Sequence, residues 1–368
     1  MRLLSNPSTD PHFNMAFDET VLEAFPSDEP VFYLWQNRPA VIIGQNQSAY
    51  AEVNLPYLQE HGIILARRVT GGGAVYHDLG NLNYSFAGGV RQMEELQPVL
   101  LISSALRSFG IPAEVSGRND ILVEGRKCSG YAKRLSGSRM MIHGTLMFNV
   151  DLATLSAALS APGSKFTSGG IASVRSRVCN LSEYLPGWSL EQFRARLTDF
   201  MAASSLRAGD IENRVAPSSD ARCTQSLQTA WFSQSPATPA CGSDSPSFHG
   251  LSVESVSADI LSCVNALADS KFRSWDWIYG HSPATEFCTA RKFPSCGTVE
   301  LRFSIRRGLL VDVHFAGDFL GYLPAEQLAS ELEGTRFDKD TLRSRLDSLS
   351  VDRYFDGLCA ADLVSLLC

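Results

Sequence analysis

The 368-residue sequence predicts an α+β protein, a large mixed-sheet domain followed by a small α+β domain. Three observations predict it. Short apolar runs alternate with helical patterns over the first 200 residues. The composition turns to Ser, Pro, Ala and Thr near residue 204. Beyond residue 267 a hairpin pattern is followed by two amphipathic helical patterns. The expected division is therefore 1–204, a linker or insertion over 205–266, and a small domain over 267–368.

The elements follow in order. VFYLW (31–35) and AVIIG (40–44) read as strands around QNRP, with Pro39 able only to open the second. ILARRV (64–69) and AVYHD (74–78) read as strands flanking three glycines, and NYSFAG (83–88) as a half-buried strand. QPVLLISSALRSFG (97–110) has helical spacing and a terminal glycine. ILVEG (121–125) and GTLMFNV (144–150) read as strands. Asp151 is a plausible N-cap for DLATLSAAL (151–159). Ser189 and Gln192 open SLEQFRARLTDFMAA (189–203) as a capping box. Residues 215–250 read as a loose segment, and order is expected again near 267–280. TVELRFSI (298–305) and LLVDVHFAG (309–317) form a hairpin around RRG. AEQLASELEG (325–334) and DKDTLRSRLDSL (338–349) read as amphipathic helices, the second capped by Asp338 or Asp340.

Composition excludes several classes. A net charge of −7 argues against a surface for nucleic acid or anionic lipid. With 44% apolar and 19% charged residues the chain is globular, and no apolar run nears the ~20 residues that span a bilayer. MRLLSNPSTDPHFN lacks the apolar core of a signal peptide, so the expected location is cytoplasmic, or the mitochondrial matrix in a eukaryote. The nine cysteines include no C-x-x-C pair, which disfavours zinc and a disulfide framework and suits free thiols in a reducing compartment.

Four clusters carry candidate chemistry. Arg67 and Arg68 precede Gly71-Gly72-Gly73, a tight turn or a loop whose bare amides approach an anion. The run is neither G-x-x-x-x-G-K-[ST] nor G-x-G-x-x-G. The second cluster groups Arg118, Asn119, Asp120, Lys127 and Ser129. Lys127 is read either as a solvated surface charge or as a cation stabilising negative charge during acyl transfer. His143, Gly144 and Thr145 stand at the mouth of an apolar strand. Arg175 and Arg177 alternate along SVRSRVCNL (173–181), which also reads as an ionic strand edge.

In this order the four clusters resemble the lipoate–protein ligases. RRVTGGGAVYHDLGN (67–81), GRND (117–120), KCSG (127–130), HGTL (143–146) and SVRSRVCNL match that family's motifs, as does LWQNRPAVIIGQNQ (34–47). The likeness runs through residues 1–200, and SWDWIYG (274–280) with its following hairpin resembles the C-terminal domain of two-domain ligases.

The resemblance implies a biotin/lipoate-ligase-like fold that uses ATP, Mg2+ and (R)-lipoate. Lipoyl-AMP would form, and its acyl group would pass to a lysine of apo-lipoyl domains. Those belong to the 2-oxoacid dehydrogenase E2 subunits and the glycine cleavage H protein. Lys127 would be the essential lysine touching carboxylate and α-phosphate, and Arg68 would bind phosphate. Gly72, Gly73, Ala74, Val75, Tyr76, His77 and Asn81 would line nucleotide and acyl chain. Asn119, Asp120, His143 and Gly144 complete the implied site, with Mg2+ carried by the phosphates near Asp120.

Three departures stand out: Cys128 in place of Val or Ile, Ile142 in place of a histidine, and the long stretch 204–262. Cys128 is read as a small hydrophobe, with a thioester nucleophile as the alternative. The rival readings are a lipoyl or octanoyl transferase fed by a preformed adenylate or acyl carrier, and a non-catalytic adenylate-binding paralogue. The C-terminal domain tilts toward the ATP-using ligase. A biotin ligase is disfavoured because the glycines do not follow its G-R-G-R-x-x-G pattern.

Overall fold

The computed structural model describes residues 1–25, 29–117, 119–159, 177–212 and 253–367. Side chains in 205–212 are outside the description. Among the described residues a seven-stranded sheet dominates the N-terminal body. Its strands are β1 (Arg2–Ser5), β2 (Val31–Trp35), β6 (Asn81–Gly89), β7 (Ala113–Ser116), β8 (Asp120–Val123), β9 (Arg126–Ser136) and β10 (Arg139–Met147). The order is β1-β2-β6-β10-β9-β8-β7, parallel only at β1–β2. A second sheet sets β3 (Ala40–Ile43) between β4 (Ile64–Arg67), its parallel neighbour, and β5 (Val75–His77), its antiparallel one. The expected α+β class and mixed sheet are what the chain adopts.

One face of the large sheet packs on helices Pro98–Ser108 and Leu190–Glu212 around Phe86, Ile102, Leu106, Phe193 and Leu197. The other face meets helix Pro11–Ala24, which buries Met15, Phe17, Val21 and Leu22 against Tyr33, Trp35 and Met141. That helix, β1 and the polar strand β9 escaped the sequence reading. The helix is buried on nearly every side, and β9 is mostly polar with adjacent charges at Arg126–Lys127 and Lys133–Arg134, so neither shows a clean period.

The expected caps are present. Asp151 accepts from Ala153 N and Thr154 N, Asp338 accepts from Thr341 N, and Ser189 and Gln192 exchange bonds. The stretch expected as linker is helical at both described ends. Helix Leu190–Glu212 runs past 204, and helix Ala258–Leu267 docks on Pro11–Ala24 through Val264. Residues 213–252 lie outside the description.

The C-terminal sheet is an antiparallel meander of β11 (Thr285–Phe293), β12 (Gly297–Arg306) and β13 (Leu309–Gly317). Arg307 and Gly308 both have positive φ, the two-residue turn the hairpin pattern requires. Helices Ala325–Leu332, Lys339–Asp347 and Ala360–Leu367 cover one face through Leu328, Leu342 and Leu363. Tyr50 of the N-terminal body enters this core, edge-on to Phe337 at 5.3 Å. Among the described residues no helix is long and apolar enough to cross a membrane.

Candidate active site

Antiparallel register sets the floor of a cleft. Tyr33 pairs with Ser85, and Ser85 with His143, so three strands present these side chains in one row. The adjacent row is Trp35, Asn83 and Thr145. Above the floor lies the glycine loop between β4 and β5. The cleft between them has a volume of about 120 Å³, and its lining includes Trp35, Ile42, Arg68, His77, Lys127 and His143.

Consecutive arginines divide the work of building the loop. The Arg68 guanidinium donates from Nη2 to the carbonyls of Gly71 (2.7 Å) and Gly73 (2.9 Å), from Nη1 to Ile42 (3.0 Å), and from Nε to Thr70 Oγ1 (3.0 Å). Gly72 has φ +98°, and a Cβ there would lie 2.9 Å from Arg68 Nη2. Gly44 is as constrained, because its Cβ would stand 2.1 Å from Gly72 O. Space opens at Gly73, where a Cβ would meet nothing within 4 Å, so packing within the loop does not require a glycine there.

Arg67 faces away. It is wholly buried and donates to the carbonyls of Gly44, Gln45, Gln47, Trp277 and Ile278 and to Ser282 Oγ. Trp277 Nε1 returns a bond to the Arg67 carbonyl at 2.9 Å. Of the two candidate anion holders, Arg67 is therefore a structural staple to the 276–282 turn. Burial lowers the pKa of both guanidinium groups to about 10, which leaves them charged near neutrality.

Lys127 lies on β9. The β8–β9 pairing steps from Ile121–Ser129 to Leu122–Lys127, so Cys128 is the extra residue of a bulge. The bulge re-aims Lys127 into the cleft and leaves Cys128 in the core. The ammonium bonds Asp120 at 2.7 Å. Its side chain folds over Gly130, where a Cβ would sit 2.9 Å from Lys127 Cε. Both glycines of the KCSG and HGTL motifs thus clear space, since a Cβ at Gly144 would strike the Tyr84 hydroxyl at 2.4 Å. On its other edge Lys127 O accepts from Cys179 N at 3.0 Å.

Cys128 has no exposed surface, and burial raises its thiol pKa to about 12. A thiol so buried and protonated is not a nucleophile, and the hydrophobe reading stands.

Beneath the loop runs a buried chain of polar groups. His143 Nδ1 meets Asp18 Oδ2 at 2.6 Å, and its Nε2 meets Thr70 Oγ1 at 2.7 Å. Asp18 also accepts from Ser85 Oγ (2.9 Å) and Tyr33 Oη (2.5 Å), so its charge is met by three neighbours. Burial and Asp18 together push the Tyr33 hydroxyl well up. Thr70 in turn accepts from Arg68, so the chain ends on the loop's own brace. Arg134 of β9 adds a further tie to Val69 O at 2.8 Å. Asp18, Tyr33, Thr70 and Arg134 were not singled out from the sequence. The available signal was Asn14 and Asp18, two polar residues on the apolar stripe completed by Val21 and Leu22.

The other expected residues divide. Gly72, Gly73, Ala74, Val75, His77, Asn119, Lys127, His143 and Gly144 line the cleft, and Asp120 reaches it through Lys127. Tyr76 does not, because strand alternation turns it among Val41, Ile43 and Met147 while Val75 and His77 face the cleft. Asn81 lies behind Asn83 and donates to its Oδ1 at 2.9 Å. Arg118 and Arg175 lie outside the described residues, and Arg177 is exposed.

The comparisons with known proteins address this arrangement. A family profile described as the lipoyl protein ligase A/B catalytic domain matches residues 10–202, and one described as the bacterial lipoate protein ligase C-terminus matches 282–367. The chain belongs to the lipoate–protein ligase family. It is 31% identical to the lipoate-protein ligase LplJ of Bacillus subtilis over 97% of both chains. Among solved structures it is similar to the bi-partite lipoate protein ligase of Thermoplasma acidophilum, described with its E2 lipoyl domain. The TM-score is 0.58 at 26% identity, covering 76% of this chain and 96% of that one. A lipoate-protein ligase A bound with ATP has the same fold at 24% identity and TM-score 0.55, covering 76% and 98%. In this ligase both profiles fall on the two bodies described above, and the cleft lies wholly within the first.

Proposed function

We propose that this ligase activates lipoate with ATP to lipoyl-AMP and transfers the lipoyl group to a lysine of apo-lipoyl domains. The acceptors would be the 2-oxoacid dehydrogenase E2 subunits and the glycine cleavage H protein. The carrying observation is Lys127, an ammonium bent over a bare glycine in a cleft lined by both polar and apolar side chains. When the carboxylate oxygen bonds to the α-phosphorus, the bond to the leaving pyrophosphate breaks. Two anions meet at that step, and at ~4 Å their repulsion is of order 4 kcal/mol at a protein surface. Lys127 offsets it, with Asp120 holding the ammonium in place.

In the second step the acceptor amine attacks the anhydride carbonyl, AMP leaves, and Lys127 stabilises the oxyanion. Arg68 supports this from the loop it braces, adding positive charge beside the bare amide of Gly73. The apolar residues Trp35, Ile42, Ala74 and Val75 suit an aliphatic chain. Magnesium would ride on the triphosphate. Among the described residues no group of three His, Cys, Asp or Glu is placed to hold a metal, and Asp120 is engaged by Lys127. In this reading residues 1–204 carry the chemistry and 267–368 assist.

The test is lipoylation of an apo-lipoyl domain, followed by mass, with ATP, Mg2+ and lipoate, and again with preformed lipoyl-AMP. ATP-dependent modification is expected. Modification only from lipoyl-AMP would replace the ligase with a transferase. Cys128→Ser should stay active, in keeping with the buried thiol.

A further inference from the structure

Amide formation raises a demand that adenylation does not. A free lysine is an ammonium below about pH 10.4, and an ammonium has no lone pair with which to attack. One proton must therefore leave the acceptor nitrogen as attack begins, and a second as the amide forms. AMP departs as an anion and takes neither. Among the described side chains around the cleft, few can receive that first proton. His143 has both ring nitrogens engaged, by Asp18 and by Thr70. Burial, Arg68 and His143 lower the His77 pKa to about 3, which makes its ring a poor base. Asp18 is buried and already met by His143, Ser85 and Tyr33.

Asp120 is placed differently. Its Oδ1 is buried 2.7 Å from the Lys127 ammonium without an aligned hydrogen bond, so charge holds the pair together. The exposed third of the side chain lies on its remaining atoms, Oδ2 and the carbons. Its cross-strand neighbours, Ser116 and Gly130, carry no charge. When Lys127 turns to the oxyanion, a charge-assisted bond of ~2.8 Å puts that oxygen within about 5.5 Å of Asp120 Oδ1. An amine attacking the same carbonyl is then in reach of the carboxylate. We infer that Asp120 is a catalytic residue of the transfer step, the base that takes the proton of the acceptor amine. This rests on the adenylation and transfer proposed above. The arriving ammonium meets the like charge of Lys127, which favours its neutral form. Asp120 takes the proton as the C–N bond forms and the carbonyl π pair moves onto oxygen. The exposed oxygen passes that proton to water, and the second, far more acidic on the tetrahedral intermediate, leaves by the same route. The oxyanion then collapses, the bond from carbon to the phosphate oxygen breaks, and AMP leaves.

The experiment follows single-turnover transfer from lipoyl-AMP bound to excess enzyme. Two nucleophiles are compared: a saturating apo-lipoyl domain, and hydroxylamine, which is neutral at pH 7 and attacks without first losing a proton. Asp120→Asn should lower the ratio of the domain rate to the hydroxylamine rate by about 10²-fold. Asp120→Glu, which keeps a carboxylate, should recover part of that ratio. Lys127→Ala removes the oxyanion's cation, so it should slow both nucleophiles and move the ratio little. In the wild type, D2O should slow the domain reaction more than the hydroxylamine reaction, a readout that holds even if the variants do not fold. An unchanged ratio in folded Asp120→Asn, or equal slowing of both reactions in D2O, overturns the inference and leaves adenylation standing. A wild type that modifies the domain neither from ATP with lipoate nor from lipoyl-AMP overturns the proposed function itself.

Discussion

The two bodies of the molecule are buried in opposite ways. The N-terminal body hides Asn14, Asp18, Asn37, Arg67, Arg68, Thr70, His77, Asn83 and His143, among other polar side chains. Past residue 267, among the described residues, only Ser282 is a buried polar side chain, and it serves Arg67 and the amide of Ala49. The C-terminal body is a sheet and three helices joined by leucine, valine and phenylalanine. Buried polar groups are costly unless satisfied, so their concentration around one cleft marks where structure serves chemistry. The core of the C-terminal body is held together by apolar packing.

The sharpest way to break this contrast is at Arg67, where the two bodies meet. Arg67→Leu leaves several buried carbonyls unpaired, and a loss of about 4 kcal/mol or more is expected in urea unfolding. Next is Lys127→Ala, about a third exposed and hence structurally light. Pyrophosphate release should fall by about 10²- to 10³-fold with an unchanged melting temperature. Leu301→Ala, in the apolar body, should cost about 2–4 kcal/mol of that body's stability, read by hydrogen exchange on β12.

Gly72→Ala should be milder, about 1–3 kcal/mol, because it strains a positive φ and crowds Arg68. Gly71→Ala, with nothing within 4 Å, should cost less in the same melt.

The most gradual effect is a pH slope. The unfolded chain protonates His77 near 6.5 while the folded chain refuses the proton down to about 3. Stability is therefore complete above pH 6.5 and falls as pH drops through that window, by roughly 1 kcal/mol per pH unit. His77→Gln should flatten this part of the profile in urea titrations.

Legibility followed periodicity and local chemistry. The β12–β13 hairpin, the Asp151 and Asp338 caps and the glycine run could be read because each depends on residues a few positions apart. Helix Pro11–Ala24 and strand β9 could not, since burial on most sides of the one and adjacent charges among small polar residues in the other erase the period that identifies an element. The site divided in the same way. Motif residues around Lys127 were legible, but the assignment of Arg67 and Arg68 to different tasks was not.

The sequence by itself determined which residues could carry charge, bend without strain and cap a helix, because those properties belong to side chains and nearest neighbours. Tertiary structure decided which of them meet. Asp18, His143 and Thr70 join only because a helix, a central strand and a loop converge, with 125 positions separating the first two. A one-residue bulge at Cys128 turns Lys127 into the cleft, and strand pairing, which no local pattern encodes, is what makes a bulge.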